Sequence, residues 1–334
     1  MIKLKTFGSF TVGNGLTSVQ EGAWRSEKLE KLFVYLAMNR NRGVCIEDIS
    51  EAIWQVEEET DNPVGALKNL AYRLRKALRD ASFGEECIVS VRGGLYKWND
   101  DVEVTIDVEE FDRYINEAEM AFCRSKETAI ESYEKAIALY HGDFLPLRTD
   151  THWFMTLNAF YHSRYVNTVK ALAKLYIDTG CYEKLEQLCT RAIVYERSDE
   201  QIYSYLIVAR MRTKKVQMAF DTYETAKAIM DKDLGVRKTV MLNKVYEELL
   251  SVTKGASSYN IDEVKDDISE ESMNGVFMCG YPVFKEIYQL EVRKSARSTI
   301  PESLVLVTVV PMYSSQPDKN HSQMKDSMHT LERA

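Results

Sequence analysis

The sequence of 334 residues lacks the hallmarks of several protein classes. No apolar run reaches the roughly 18 residues that a membrane-spanning helix needs, since the longest, residues 304–310, has only the length of a strand. The N-terminus lacks the apolar segment of a signal peptide. The six cysteines are scattered and form no CxxC pair, which argues against a disulfide framework or a zinc site and fits a reducing compartment. We therefore expect a cytoplasmic protein without a membrane segment.

Motifs for catalysis and cofactor binding are missing as well. The five histidines form no HExxH or HxH pattern and have no cysteine at ligand spacing, which argues against a metal site. No G-x-S-x-G elbow, Walker loop or GxGxxG motif in a strand–helix context occurs. His152 and His162 are expected on one helix, in packing or capping roles. The sequence therefore predicts no enzyme, no catalytic residue, no metal and no cofactor.

The sequence does have the apolar and charged content of an ordinary globular protein, at 45% and 28%. Its length suggests two or three domains. The net charge of −8 argues against a general polyanion binder, but the charges are segregated. Residues 43–61 hold seven acidic and no basic residues, whereas residues 62–98 hold seven basic and three acidic ones. A single nucleic-acid site on one local basic surface is compatible with this distribution.

Apolar spacing over the first 98 residues predicts a strand, three helices and a two-stranded hairpin. These segments are residues 2–12, 27–39, 46–54, 63–80, 87–91 and 95–98. Gly13-Asn14-Gly15 is predicted to be a hairpin turn, not a phosphate-binding loop. Asn62 can cap the third helix, and Pro63 suits its first position.

The third helix separates an apolar stripe from a basic face. Polar side chains of this face and of the hairpin are the candidate DNA contacts. They are Lys68, Asn69, Tyr72, Arg73, Arg75, Lys76, Arg92 and Lys97. A run of Lys and Arg on a helix is most often a solvated face. Here the order strand, helix, acidic helix, basic helix and basic hairpin favours a winged helix-turn-helix, whose third helix enters the major groove while the wing touches the backbone or the minor groove.

A repeat with the tetratricopeptide period occupies the middle of the chain. The pattern Ala129-x3-Tyr133-x2-Ala136 recurs at residues 185–192 and 219–226, and the last two copies are offset by 34 residues. Small residues at this spacing let paired helices approach closely, and each pair is covered by the next. The array predicts an interaction surface, not a catalytic one.

The predicted fold is mainly α. A winged helix-turn-helix of α+β type covers residues 1–100 and a helical tetratricopeptide-like repeat domain covers 101–252. An acidic linker at 253–274 carries six acidic side chains between residues 262 and 271. Residues 275–334 suggest a helix, a strand at 303–310 and the start of another helix, which is an incomplete α/β segment.

The motifs over about three quarters of the chain resemble a known family. Tyr72-Arg-Leu-Arg-Lys-Ala-Leu78 and Val91-Arg-Gly-Gly-Leu-Tyr96 are similar to the third helix and the wing of response-regulator-type winged helices. Asp107-Val-Glu-Glu-Phe-Asp112, Leu139-Tyr-His-Gly-Asp-Phe-Leu145 and Asp233-Leu-Gly-Val236 resemble the bacterial transcriptional activator domain of SARP-type (antibiotic regulatory) activators.

The resemblance implies a bacterial transcriptional regulator that binds double-stranded promoter DNA, contacts RNA polymerase and often forms a side-by-side homodimer. It makes Arg73 the leading base-reading residue. Beside Arg73 it places, on the helix and on the wing, Tyr72, Arg75, Lys76, Arg92 and Lys97. Lys68 and Asn69 rest on the helical-face argument alone. One departure from the family pattern is Lys238, where proline is usual.

Two other functions fit parts of the sequence. The repeats suit a protein-interaction or ligand-sensing protein without specific DNA binding. In such a protein the winged helix would be only a packing domain. The segment from residue 275 is faintly similar to the start of a nucleotide-cyclase-like (GGDEF-type) domain, which would suit a nucleotide-sensing or nucleotide-making protein. The signature motif of that family is absent, so cyclase activity is not supported.

Overall fold

The computed structural model describes residues 1–54, 62–83, 88–91, 93–148, 151–231 and 239–255, together with 287, 288, 290–292 and 294. The chain divides into two compact units, Met1–Ala256 and Ser257–Ala334. In the second unit the described residues are helical. The strand predicted at 303–310, most of the acidic linker and the last predicted helix lie outside the described residues. Within the described part, no helix is long and apolar enough to cross a membrane.

The first unit runs from a small sheet through a winged helix into a series of longer helices. Its strands are β1 (Ile2–Lys5), β2 (Thr11–Gly13), β3 (Ser18–Gln20), β4 (Ile88–Ser90), β5 (Tyr96–Trp98) and β6 (Val104–Ile106). The helices of the winged part are α1 (Glu27–Met38), α2 (Ile46–Ile53) and α3 (Pro63–Asp80). The helices that follow are α4 (Asp107–Ala121), α5 (Lys126–Leu139), α6 (His152–Thr179), α7 (Tyr182–Tyr195), α8 (Glu200–Arg212), α9 (Val216–Ile229) and α10 (Val240–Gly255). The predicted mainly α fold is confirmed.

The N-terminal sheet has the strand order β3-β2-β1-β6. β1 is antiparallel to β2 and parallel to β6, with Leu4 opposite Ile106. This pairing spans the predicted domain border at residue 100, so the last strand of the sheet comes from the far side of that border. The wing is a separate antiparallel pair, β4 and β5. Val44, which precedes α2, exchanges two backbone hydrogen bonds of 2.8 Å with Tyr96 of β5.

The strand predicted over residues 2–12 is interrupted at Gly8. This residue has φ +80°, and a Cβ atom there would lie 2.6 Å from the carbonyl oxygen of His141. The close approach needs glycine, and it bends the chain between β1 and β2. The predicted turn at residues 13–15 instead connects β2 to β3. There the Asn14 side chain accepts hydrogen bonds from the backbone N–H groups of Leu16 and Thr17.

The repeat pattern corresponds to the second helix of each successive pair, in α5, α7 and α9. Ala129 and Ala136 of the first copy are fully buried, as are Ala219 and Ala226 of the third. A larger side chain at these positions would hold the paired helices apart. Gly180 ends α6 in the left-handed conformation, with φ +72°. The predicted tetratricopeptide-like array is confirmed.

A buried carboxylate joins the N-terminal sheet to the repeat array. Asp107, the first residue of α4, accepts hydrogen bonds from the backbone N–H of Thr6 at 2.8 and 2.9 Å, from its hydroxyl at 2.7 Å and from the N–H of Phe7 at 3.0 Å. Burial raises the pKa of Asp107 and outweighs these hydrogen bonds, which act to lower it. The side chain therefore depends for its solvation on the donors of Thr6 and Phe7, the two residues that follow β1.

A second set of contacts joins α1 and α2 to the start of α6. Arg148 forms an ion pair with the buried Glu30 of α1, and a second one with Glu21 at 3.3 Å. The hydroxyl of Thr151 donates a 2.8 Å hydrogen bond to the carbonyl oxygen of Ala52 in α2. The winged helix and the repeats are consequently packed as one unit.

We predict that Asp107→Asn lowers the free energy of unfolding by about 1–3 kcal/mol, because the amide nitrogen would face buried N–H donors and leave one without an acceptor. Denaturant unfolding of the full chain measures the change. Asp101→Asn, an exposed carboxylate nearby, is the control and should stay within about 0.5 kcal/mol of wild type. Equal effects of the two substitutions would contradict the role assigned to Asp107.

His162 of α6 lies between two carboxylates. Its Nδ1 is 3.0 Å from Asp143 and its Nε2 is 3.1 Å from Glu196, while the Tyr140 hydroxyl is 3.3 Å from Nδ1. Burial lowers the pKa of His162, but the hydrogen bonds and charges of Glu196 and Asp143 outweigh it and raise the pKa. The histidine is on the same helix as His152, as predicted, and its charged form ties the α5–α6 connection to the end of α7.

The stabilisation from His162 should depend on pH. Because its pKa is raised by folding, the contribution is complete below about pH 6.5 and disappears as the pH rises through the folded-state pKa. His162→Gln should therefore destabilise the protein more at about pH 5.5 than at about pH 8.5, measured by thermal unfolding. The exposed His152→Gln is the control. A loss that does not change with pH would show that folding does not raise the pKa of His162.

Candidate nucleic-acid interface

Helix α3 is built as an amphipathic element with a defined start. The Asn62 side chain accepts a 2.8 Å hydrogen bond from the N–H of Gly65, and Pro63 occupies the first turn, as predicted. Its apolar stripe is buried against α1 and α2. The stripe consists of Leu67, Leu70, Ala71, Leu74 and Leu78. This packing fixes which face of α3 points away from the protein.

Most of the predicted contact residues of α3 lie together on that outward face. The exposed members are Lys68, Asn69, Tyr72, Arg73 and Lys76. Tyr72 is 62% exposed, which is unusual for a large aromatic side chain. Asp80 at the end of the helix is the acidic residue of the exposed face, so cationic side chains dominate it. The arrangement forms a basic surface with an aromatic residue inside it.

Arg75 is separated from this group. Its side chain is half-buried, and its positive charge opposes the rise in the pKa of Tyr96 that burial causes. Arg75 therefore lies close enough to the wing strand β5 to influence it electrostatically. This side chain faces the junction between α3 and the wing.

The wing carries the two other predicted contacts. Gly93 and Gly94 have φ of +85° and +82° and form the tip, and the N–H of Val91 donates to the carbonyl oxygen of Leu95 at 2.7 Å. Lys97 of β5 forms an ion pair of 2.5 Å with Asp100, so part of its charge is neutralised. Arg92 lies outside the described residues.

A brace at the end of α3 was not predicted from the sequence. The β2–β3 turn reaches the two residues that follow α3. The Asn14 amide donates to the carbonyl oxygen of Ser82 and the Thr17 hydroxyl donates to that of Ala81, both at 3.1 Å. The only signal in the sequence was the predicted turn itself, which carries no information about its partner. The brace holds the C-terminal end of the basic face against the sheet.

Exposed apolar side chains accompany the basic ones. Within the described part of residues 27–98, the large exposed apolar side chains all lie on α3 or the wing, and they are Val64, Tyr72, Val89 and Val91. The valines were not predicted as contacts, although the alternation of Val89 and Val91 places them on one face of the wing. Positive charge together with apolar atoms is the chemistry that the edges of a DNA groove accept.

A second exposed surface lies on α6. From residue 152 to 167 the exposed positions carry no charged Asp, Glu, Lys or Arg side chain. They are His152, Met155, Thr156, Ala159, Phe160, Ser163 and Asn167, named below as the α6 strip. Phe160 is 49% exposed and Met155 is 52% exposed. An uncharged helical face of this length is uncommon in a chain with 28% charged residues and is typical of a contact with another protein.

Metal-binding chemistry does not appear in the described part of the chain. Among those residues, no group of three or more His, Cys, Asp or Glu side chains could hold a metal ion. The two carboxylates near His162 lie at opposite nitrogens of its ring, so they do not converge on one point.

The fold joins a winged helix with a basic outward face to a tetratricopeptide-like array. Residues 106–250 match the family model of the bacterial transcriptional activator domain. The chain is 23% identical over 238 residues to Transcriptional regulator RedD of Streptomyces coelicolor, which covers 70% of this chain and 67% of RedD. The predicted resemblance to SARP-type bacterial transcriptional activators is confirmed, and residues 106–250 match their activator domain.

A solved structure has the same fold. EmbR of Mycobacterium tuberculosis, determined in complex with a low affinity phosphopeptide, superposes with a TM-score of 0.59 at 19% sequence identity. The match covers 75% of this chain, and the chain spans 65% of the length of EmbR. At this identity the likeness concerns the fold alone.

The hydrogen bond that caps the start of α3 can be tested by substitution of Asn62. Asn62→Ala should lower the free energy of unfolding by about 1 kcal/mol, because the N–H of Gly65 loses its acceptor. Asn62→Asp keeps a capping oxygen and should remain near wild type. Chemical denaturation followed by circular dichroism compares the variants. If aspartate were as damaging as alanine, the cap would not be the contribution of this residue.

Proposed function

We propose that this protein is a sequence-specific DNA-binding transcriptional activator, with residues 1–100 as its DNA-binding module and residues 101–252 as its activator domain. The observation that carries the proposal is the outward face of α3, on which exposed cations surround Tyr72 while the opposite face is buried. A helix of this kind fits the major groove, with the wing beside it on the backbone. The matches to the bacterial transcriptional activator domain and to a transcriptional regulator support the same conclusion.

The residues on the outward face of α3 are proposed to make two kinds of contact with DNA. Arg73 is proposed to bind a base edge, for which the guanidinium offers two parallel donors. Lys68 and Lys76 present single charges that suit phosphate oxygens. Asn69 and Tyr72 lie between these cations and face the base edges. Arg92 and Lys97 of the wing remain proposed backbone contacts, and Lys97 would have to release Asp100 to make one.

The repeat domain is proposed to act through protein contacts. The α6 strip offers an uncharged, partly apolar surface to RNA polymerase or to a second copy of the chain. The α1–α6 junction holds this surface and the basic face in one unit, so binding at a promoter would present the strip in a fixed direction. The proposed function includes no catalytic step and no cofactor.

Variants of the two kinds of residue should behave differently. Arg73→Ala should lose about 1–3 kcal/mol of discrimination at one base pair and relax specificity there. Lys76→Ala should weaken binding to all sequences about equally and reduce the slope of log affinity against log salt by about one. Selection from a pool of genomic fragments at about 150 mM salt, followed by binding titrations, measures both.

The selection also separates the proposal from its main alternative. Enrichment of one motif by wild type, with loss of that preference in Arg73→Ala, is the expected result. A protein-interaction module without specific DNA binding would enrich no motif and show no salt-dependent affinity. Identical behaviour of Arg73→Ala and Lys76→Ala across sequences would overturn the division of roles.

A further inference from the structure

Tyr72 lies on the exposed face of α3, between two lysines. Successive residues of a helix are about 100° apart around its axis. On this projection Lys68 and Lys76 lie about 40° to either side of Tyr72, Asn69 about 60° away and Arg73 about 100° away. An aromatic side chain therefore lies within the basic surface, with a lysine on each side of it.

Tyr72 has no structural role within the described part of the chain. Its side chain is 62% exposed and takes part in none of the hydrogen bonds, ion pairs or ring contacts found among the described residues. The exposed part of the ring gains nothing from folding, so a ligand can gain free energy by burying it. Packing inside the protein therefore does not account for an aromatic residue at this position.

A helix in the major groove meets two kinds of partner. The phosphate backbones form the walls of the groove and the base edges form its floor. A long lysine side chain can extend from the exposed face to the charged walls, whereas an aromatic ring makes its favourable apolar contacts with the bases. Lys68 and Lys76 are thus suited to the walls, and the ring of Tyr72, which lies between them, is suited to the bases.

We propose that Tyr72 is a specificity-determining residue that packs its ring against the 5-methyl group of a thymine. This inference rests on the proposed DNA-binding function. The thymine methyl is the apolar group that the floor of the major groove displays, and an aromatic ring is an apolar partner for it. The operator should accordingly contain a T·A pair that the protein distinguishes from C·G by this methyl group.

The test removes the methyl group and the ring separately. A motif is first selected from a random DNA pool by the full chain. Each thymine of the motif is then replaced in turn by deoxyuridine, which lacks the 5-methyl group and keeps the hydrogen-bonding edge. At one position the replacement should weaken binding by wild type about fourfold, the usual effect of exposing one buried methyl group. Tyr72→Ala should bind more weakly overall and show no further loss with deoxyuridine.

Two more variants identify the part of the side chain that acts. Tyr72→Phe keeps the ring and should retain the fourfold sensitivity, whereas a hydroxyl that binds phosphate would make this variant weaker on every sequence. Lys76→Ala should bind weakly to all DNA and retain the sensitivity. Thermal unfolding checks that the variants fold, which is expected because Tyr72 and Lys76 are exposed.

The outcomes separate this inference from the proposed function. If a motif is selected but no thymine is sensitive, or if the sensitivity persists in Tyr72→Ala, the role of Tyr72 is wrong and sequence-specific binding stands. If no motif is selected, the proposed function fails and the role of Tyr72 fails with it.

Discussion

The buried carboxylate of Asp107 is the interaction on which the arrangement of the first unit depends. It accepts hydrogen bonds from Thr6 and Phe7 and begins α4, so it ties the first strand of the chain to the first helix of the repeats. A charge removed from water needs such donors, and the chain supplies them only when β1 lies beside β6. The sheet and the array therefore have one position relative to each other.

A fixed junction matters because the two exposed surfaces lie in different parts of the unit. The basic face belongs to α3, and the α6 strip belongs to the repeats. The ion pair between Arg148 and Glu30 and the hydrogen bond from Thr151 to Ala52 connect the elements behind these surfaces. A flexible linker would leave the direction of the second surface undefined after the first is bound. The packed side chains of this junction fix the direction of the α6 strip relative to the basic face.

Features set by nearby residues were predicted best. The predicted cap and the apolar periodicity placed α3 from Pro63 to about Asp80, which agrees with its observed bounds, and Asn62 caps it as expected. The basic residues of its outward face were predicted together, yet Arg75 turns toward the wing and Lys97 pairs with Asp100. Both differences arise from residues that are close in space but belong to other elements. A helical projection of α3 alone contains no information about those elements. The break at Gly8 has the same origin, since its partner is a carbonyl group 133 positions away at His141.

The sequence by itself determined the helices of the winged part, the apolar face of α3, the helical repeat and the family resemblance, because each depends on residues within a few turns of one another or on short motifs. Tertiary structure alone decided that β6 completes the N-terminal sheet, that Asp107 is buried, and that the β2–β3 turn braces the end of α3. These contacts join residues 64 to 102 positions apart. Local spacing carries no information about such pairs, because the partner is selected by packing and by the requirement that buried polar groups be hydrogen-bonded.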